Sequence, residues 1–322
     1  MGRISSCVFA LLLFPLMSTI SIAEENIVEF SLLTANVGNA DVMNCGSDYV
    51  YKLCLSAWEK KIAEGISEKH PDIVSLQEVY NADHCAEKKP EKSKKKICYR
   101  YKERSVYQQV RRLLGPDYTI VCDGRMNYEC IGVKKGFADV AGCEPGEICY
   151  SEAAVTHDVP DGCSPSAVIF GVDLSVNGKR IRVVNGHPIA TDRVCRAGEI
   201  KRMFEGYDDV LPLALDEVPT LIMGDMNMDP YNGSPENEDV TSWLKHVGEG
   251  KRYYYLSGIA EHDPPYVTCA GRVLDHVITN SAGGKCVTLG GAPDVKRLDG
   301  YPVGKPIQDA PDHLAVFCNL NI

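Results

Sequence analysis

Six short polar clusters stand at the ends of apolar runs or within them, and their residue types fit one chemistry. Asn36 follows Leu32-Leu33-Thr34, Glu78 follows Asp72-Ile-Val-Ser-Leu-Gln77, and His187 follows Arg182-Val-Val-Asn185. Asp225 and Asn227 flank Met226 after Leu221-Ile-Met-Gly224, while Asp275 and His276 fall inside Val273-Leu-Asp-His-Val-Ile278. Asp312 and His313 directly precede Leu314-Ala-Val-Phe317. A buried strand tolerates a charge where the chain emerges at the surface. One such placement is ordinary strand punctuation, but a full set with compatible chemistry points to a site. Carboxylate and amide oxygens are what a hard cation such as Mg²⁺ takes, while it keeps several waters and admits substrate phosphate. Glu78 and Asp312 are of that ligand type, with Asn36 beside them. Asp225 suits the role of accepting a proton from an attacking water, and Asn227 that of orienting the water or a phosphate oxygen. His187 and His313 can donate hydrogen bonds to a pentacoordinate transition state or protonate a leaving oxygen. A carboxylate beside a histidine fixes its tautomer and raises its pKa, and Asp275 is the candidate partner of His313. No Gly-x-Ser-x-Gly elbow is present, so a serine-nucleophile hydrolase is a poor reading.

Positioning such residues requires strands that end together. Apolar runs predict buried strands over 27–34, 73–76, 130–133, 167–172, 181–185, 220–223, 274–278 and 314–318. Apolar residues at helical spacing predict helices over 53–69 (Leu55, Trp58, Ile62, Ile66), over 105–114 and, with a weaker pattern, over 197–215. Strands mixed with a few helices indicate an α/β protein with sheets inside and helices outside. Neither an internal repeat nor a Ser/Pro-rich linker divides the chain, and residues 24–322 are read as one catalytic domain.

The ordered set Thr34-Ala-Asn36, Asp72-Ile-Val-Ser-Leu-Gln-Glu78, Asn185-Gly-His187, Gly224-Asp-Met-Asn227, Leu274-Asp-His-Val-Ile278 and Pro311-Asp-His313 resembles the endonuclease/exonuclease/phosphatase superfamily. Any one of these motifs is weak; their shared order across nearly the whole chain is specific. The resemblance implies a four-layer α/β sandwich, two mixed β-sheets packed face to face with helices outside. It also implies Mg²⁺, or Mn²⁺ or Ca²⁺, at Glu78, with Asn36 and Asp312 nearby. His187, Asp225, Asn227 and His313 match the superfamily's catalytic positions, and Asp275 matches the carboxylate that supports a histidine. Tyr128 stands where some members direct a tyrosine at the phosphate, and a buried structural tyrosine fits equally well. His276 is read as structural or supporting. After His187 comes Pro188-Ile-Ala190, a departure from the Leu-Gln continuation of sphingomyelinase-like members. That departure bears on the substrate more than on the chemistry.

Residues 1–23 open with Arg3, run through an apolar stretch too short to span a bilayer and end on Ser21-Ile-Ala23, the pattern of a cleaved signal peptide. The expectation is therefore an exported, monomeric protein with no stable membrane span. Of the 14 cysteines, Cys7 falls in that leader, which leaves an odd number for a disulfide framework and one thiol over. No Cys/His spacing of the zinc-finger kind is present. Formal net charge is −10, mildly against strong non-specific nucleic-acid binding. Yet residues 88–104 carry nine Lys or Arg, either a solvated loop or a cationic patch for a polyanion. Nucleic acid, DNA in preference, is the first substrate reading. Phospholipid head groups are the alternative, for which Tyr253-Tyr-Tyr-Leu256 and Tyr266-Val267 are conceivable membrane-reaching elements. A binding protein or toxin that kept the fold without hydrolysis is the reading from another class, and the complete polar set argues against it.

Overall fold

The computed structural model describes residues 27–38, 52–80, 109–124, 129–151, 162–163, 168–207, 210–234, 236–257, 268–291, 295–300 and 311–322. The expected signal peptide, the basic segment 88–104, Tyr128 and Tyr266-Val267 lie outside these residues.

Two mixed sheets form the centre. Among the described residues the first has seven strands in the order β12 (Gly283–Thr288), β13, β1, β2, β4, β3, β6 (Ile148–Ser151), and the second six in the order β10 (Tyr254–Tyr255), β11, β9, β8, β7 (Val168–Val176), β5 (Asp139–Val140). Strands that matter for the site in the first sheet are β1 (Glu29–Asn36), β2 (Ile73–Gln77), β3 (Tyr118–Asp123), β4 (Cys130–Lys134) and β13 (Val316–Asn321). In the second they are β8 (Lys179–His187), β9 (Thr220–Asp225) and β11 (Asp275–Thr279). Central strands are covered on both faces, so their sequences read as continuous apolar runs rather than alternating ones. β2, β9 and β11 are buried throughout. By contrast β13, beside the outermost strand β12, alternates buried and exposed residues from Val316 onward.

The sheets meet through Leu32, Ile73 and Ile131 on one side and Phe170, Val183, Leu221, Met223 and Val277 on the other. A second cluster joins the outer face of the first sheet to α1 (Ser56–Lys69) and α2 (Gln109–Leu114) through Trp58, Ile62, Ile66 and Leu113. A third joins the second sheet to α3 (Arg193–Glu205) and α4 (Glu238–Leu244) through Ile200, Met203 and Trp243. Helix, sheet, sheet, helix is the four-layer α/β sandwich that the family resemblance implies.

Local sequence explains the joints. Trp58, Ile62 and Ile66 recur every four residues, so α1 presents one apolar stripe to the sheet. Each such aliphatic side chain contributes roughly 1.5–3 kcal/mol on burial, and Ile62→Ala would cost about 2–5 kcal/mol. His70 ends the helix in the left-handed conformation (φ 48°), donating its N–H to Ile66 O, and β2 begins three residues later. The predicted helix 197–215 is corrected: α3 starts at Arg193, because Asp192 caps it by accepting from the Cys195 N–H at 3.0 Å. It stops at Glu205, because Gly206 takes φ 75° and the chain turns back, burying Leu213 and Ala214 outside the helix. Tyr253 and Tyr255 belong to the third core cluster, with Tyr253 buried and the Trp243 indole N–H donating to Tyr255 Oη at 2.7 Å. They do not form an exposed membrane-reaching element. Disulfides Cys122–Cys130, Cys143–Cys149, Cys163–Cys195 and Cys286–Cys318 bear out the expected framework, and Cys269 is the free, buried cysteine among the described residues.

Candidate active site

Register brings the polar clusters to one end of the sandwich. Asn36 pairs with Gln77 in the parallel β1–β2 ladder, so Asn36 and Glu78 leave the first sheet together. In the second sheet Gly186 pairs with Gly224, and Asp275 pairs with Asp225, so Asp225 lies between His187 and Asp275. Parallel strands give their C-terminal ends to this edge, and the antiparallel strands β4, β11 and β13 give their N-terminal ends. The glycine of Gly224-Asp-Met-Asn227 is required: its φ is 139°, and a Cβ there would fall on the Gly186 carbonyl oxygen. Beneath the edge, Gln77 Nε2 donates to Asn185 Oδ1 at 2.9 Å and Asn185 Nδ2 to Leu76 O at 3.2 Å, joining the two sheets.

Asn36 Nδ2 donates to both Glu78 Oε1 and Asp225 Oδ2, each at 3.1 Å, while Asn36 Oδ1 accepts from the Gly38 N–H. The amide therefore holds two carboxylates side by side. Two imidazoles point at the same place. His187 Nε2 lies 3.8 Å and His313 Nε2 3.5 Å from Asp225 Oδ2, and His187 Nε2 is 3.6 Å from Glu78 Oε1. The second nitrogen of each ring meets a carboxylate at 2.8 Å: Glu129 Oε1 for His187 and Asp275 Oδ2 for His313. Asn227 N–H donates to Asp225 Oδ1 at 2.8 Å, and its side-chain amide donates to Pro188 O at 2.9 Å. Glu78 and Asn227 both adopt positive φ (59° and 51°), a conformation that costs a non-glycine residue energy and gathers at functional sites.

Electrostatics follow from this crowding. Burial works against a charged His187, but Glu129, and behind it Asp225 and Glu78, outweigh it and hold the imidazole up at about 9. His313 is likewise raised, with burial opposed by Asp275 and Asp225. Asp225 goes the other way: burial would raise it, yet the two imidazoles and the Asn227 and Asn36 donors keep it low. Glu78 is pushed up, burial prevailing over His187, Lys52 and Asn36.

The donor set can be tested against a divalent cation. Glu78, Glu129, Asp225 and Asp275 confront two imidazoles and, at Glu78, Lys52, so the carboxylates outnumber the cationic groups even with both rings protonated. At Glu78 the counter-charges of His187 and Lys52 do not outweigh burial, so an added positive charge would favour its ionised form. A hard cation at Glu78 fits, whereas Asn36 serves as a donor bridging the carboxylates rather than offering its oxygen.

Other expected residues fall as follows. Asp312 is exposed and stands with Cys269 and His313 rather than in the Asn36–Glu78 hydrogen-bond set. Arg297, paired with Asp299, donates to Pro311 O at 3.3 Å and braces the approach to His313. His276 neighbours Asp275 in β11 and so faces away, among Trp243 and Tyr255, with Nε2 on Met228 O at 3.2 Å and its pKa lowered by burial. It is structural. Glu129 was not expected, although it opens the predicted strand 130–133 as Asn36 and Glu78 close theirs. The same strand-end rule reaches it, one residue past Tyr128. It is fixed by donating its N–H to Asp123 Oδ2 at 3.2 Å and by accepting the Glu78 N–H on Oε2 at 3.0 Å.

Neither a protein-family profile nor a characterised protein sequence matches the chain. Solved structures do. D. rerio TDP2 complexed with single-strand DNA product superposes at a TM-score of 0.52, with 12% identity over 91% of this chain and 99% of that one. The human Nocturnin catalytic domain with a bound sulfate anion gives 0.53, 14%, 92% and 96%. An endonuclease/exonuclease/phosphatase family protein from Bacteroides thetaiotaomicron gives 0.51, 15%, 92% and 98%. The chain thus has the endonuclease/exonuclease/phosphatase fold over nearly its whole length.

Proposed function

We propose that the chain is a divalent-metal-dependent phosphodiesterase that hydrolyses nucleic acid, DNA in preference, outside the cell. One observation carries the reading: two carboxylate-held histidines, one from each sheet, converge on Asp225 beside Asn36 and Glu78. A cation held at Glu78 would supply positive charge to a phosphate oxygen as charge develops there. Asp225, kept anionic, accepts the proton of the attacking water, and Asn227 orients that water. His187 and His313, kept protonated by Glu129 and Asp275, donate to the non-bridging oxygens, and one of them protonates the leaving oxygen. DNA is favoured because a protein of the same fold, D. rerio TDP2, binds a single-strand DNA product, and because the segment 88–104 is strongly basic. Export is favoured by the leader pattern in 1–23 and by the disulfides. Among the described residues no helix is long and apolar enough to cross a membrane.

The test compares plasmid DNA, RNA, sphingomyelin and a phosphoinositide on one preparation, with Mg²⁺ and with EDTA. DNA cleavage that needs Mg²⁺ or Mn²⁺ and stops with EDTA is expected. Release of phosphocholine without nucleic-acid cleavage would replace the substrate assignment.

A further inference from the structure

Next to His313 lies a ligand set of a different chemical kind. Residues 268–272 form a turn closed by Cys269 N–H on Arg272 O at 3.0 Å. That turn is clamped to the strand entering β13 by Leu314 N–H on Thr268 O at 2.8 Å and by a Cys269–His313 bridge. Thr268 Oγ1 also accepts the Leu274 and Asp275 N–H groups, so the turn is built into the wall of the site. Its one thiol is held there. Cys54, Cys122, Cys130, Cys143, Cys149, Cys163, Cys195, Cys286 and Cys318 are all disulfide-bonded, whereas Cys269 is free. Sulfur of Cys269, a carboxylate oxygen of Asp312 and an imidazole nitrogen of His313 lie within 4.8 Å of one another.

We infer that Cys269, Asp312 and His313 form a site for a thiophilic divalent cation, Zn²⁺ above all, and that its occupation switches hydrolysis off. Ligand softness separates it from the Glu78 position. Mg²⁺ takes hard oxygens and does not favour thiolate, while Zn²⁺ takes sulfur, nitrogen and oxygen together in a tetrahedron. With bonds of about 2.3 Å to sulfur and about 2.0 Å to nitrogen and oxygen, tetrahedral neighbours stand roughly 3.5 Å apart. Atoms within 4.8 Å of one another therefore need to close by little more than ~1 Å at most, which exposed Asp312 can supply by swinging inward. Three protein ligands leave a fourth position for water. Zinc-finger spacing is absent because the ligands come from two distant segments that the β11–β13 corner brings together.

The consequence for catalysis rests on the phosphodiesterase reading. A ring nitrogen bound to Zn²⁺ has its lone pair committed. If Nε2 is taken, His313 no longer faces the phosphate; if Nδ1 is taken, Asp275 is displaced. Either way the imidazole stops delivering a proton, and added Mg²⁺ does not relieve the inhibition because it competes elsewhere.

Co²⁺ is the probe for the site itself. Titrated into the full, disulfide-bonded chain, it should give a thiolate-to-cobalt charge-transfer absorption at one equivalent, which Zn²⁺ abolishes by displacement. Cys269→Ser should lose the band, and Asp312→Ala, an exposed change that leaves the core alone, should keep the band with affinity at least ~10-fold weaker. Inhibition is read as the ratio of rates with and without Zn²⁺ within each variant, so that changes in basal rate cancel. That ratio should become at least ~10-fold less zinc-sensitive in Cys269→Ser. No thiolate band in the native chain, or an equal band in Cys269→Ser, would overturn the site. A band in a chain that cleaves no phosphodiester would leave the site standing and sink the functional reading instead. Zinc inhibition that is unchanged in Cys269→Ser, or relieved by Mg²⁺, would overturn the switch.

Discussion

His187 and His313 come from different sheets, reach the same Asp225 oxygen, and each leans on a carboxylate from the opposite sheet, yet the two supports differ. Glu129 has both oxygens engaged, one on His187 and one on the Glu78 N–H. It thereby fixes the imidazole and also the backbone of the residue fitted to hold the metal. Asp275 uses one oxygen on His313, and its Oδ1 has no partner among the described residues although it is buried. One carboxylate is a joint between two functional groups; the other is a prop for one. A carboxylate buried at this position is not explained by packing alone. The orientation and charge of His313 do explain it.

The largest effect should come from removing either ring. His187→Ala or His313→Ala is expected to lower the hydrolysis rate at least ~10²-fold, with circular dichroism unchanged. Undiminished rates in both would end the site assignment, and a loss in only one would show that the two histidines do unequal work. The supports should separate next. Glu129→Gln places an amide donor where one acceptor is needed, and should approach a ~100-fold loss together with a stability loss of about 1–3 kcal/mol. Asp275→Asn disturbs one contact and should stay nearer ~10-fold, with little change in urea midpoint. Equal losses in rate and stability would break the distinction between joint and prop.

Much of this is legible in the amino-acid sequence. The strands that carry Asn36, Glu78, His187 and Asp225 announce themselves because central strands covered on both faces are continuously apolar. Their ends are polar for the same reason that they are functional. Glu129 was passed over because the identity of a histidine's partner is set by which sheet lies opposite, and no spacing along the chain encodes that. Short elements such as β3 and α4 escaped for a different reason. Asp123 ends β3 buried, and the seven residues of α4 are too few to display a helical period. Cys269 could be counted as an odd cysteine candidate, but its neighbours His313 and Asp312 are far away in sequence and close only through the turn 268–272.

The smallest effect on rate, and the clearest on stability, should come from a group that underlies the His187 half alone. Pro188-Ile-Ala190, which leads away from His187, is held by α3: Glu199 Oε2 accepts the Ile189 N–H at 2.9 Å, and Arg196, paired with Asp239, donates to Ile189 O and Ala190 O. Glu199 is buried with Oε1 unpartnered among the described residues, and burial, only partly offset by Ile189 and Arg196, lifts its carboxyl from 4.5 to about 7. Since the folded pKa exceeds the unfolded one, the folded chain keeps a proton that the unfolded chain has lost between those values. Stability from this group is therefore full below pH 4.5 and falls as pH rises towards 7, by about 3 kcal/mol in all. Glu199→Gln keeps an acceptor for Ile189 and removes the titration. Urea unfolding at pH 5 and pH 8 should show the variant gaining on the native chain by most of that amount at the higher pH, while hydrolysis stays close to native. Should both proteins lose stability equally across that range, the slope belongs to another group, and the brace under His187 is not what distinguishes the two halves.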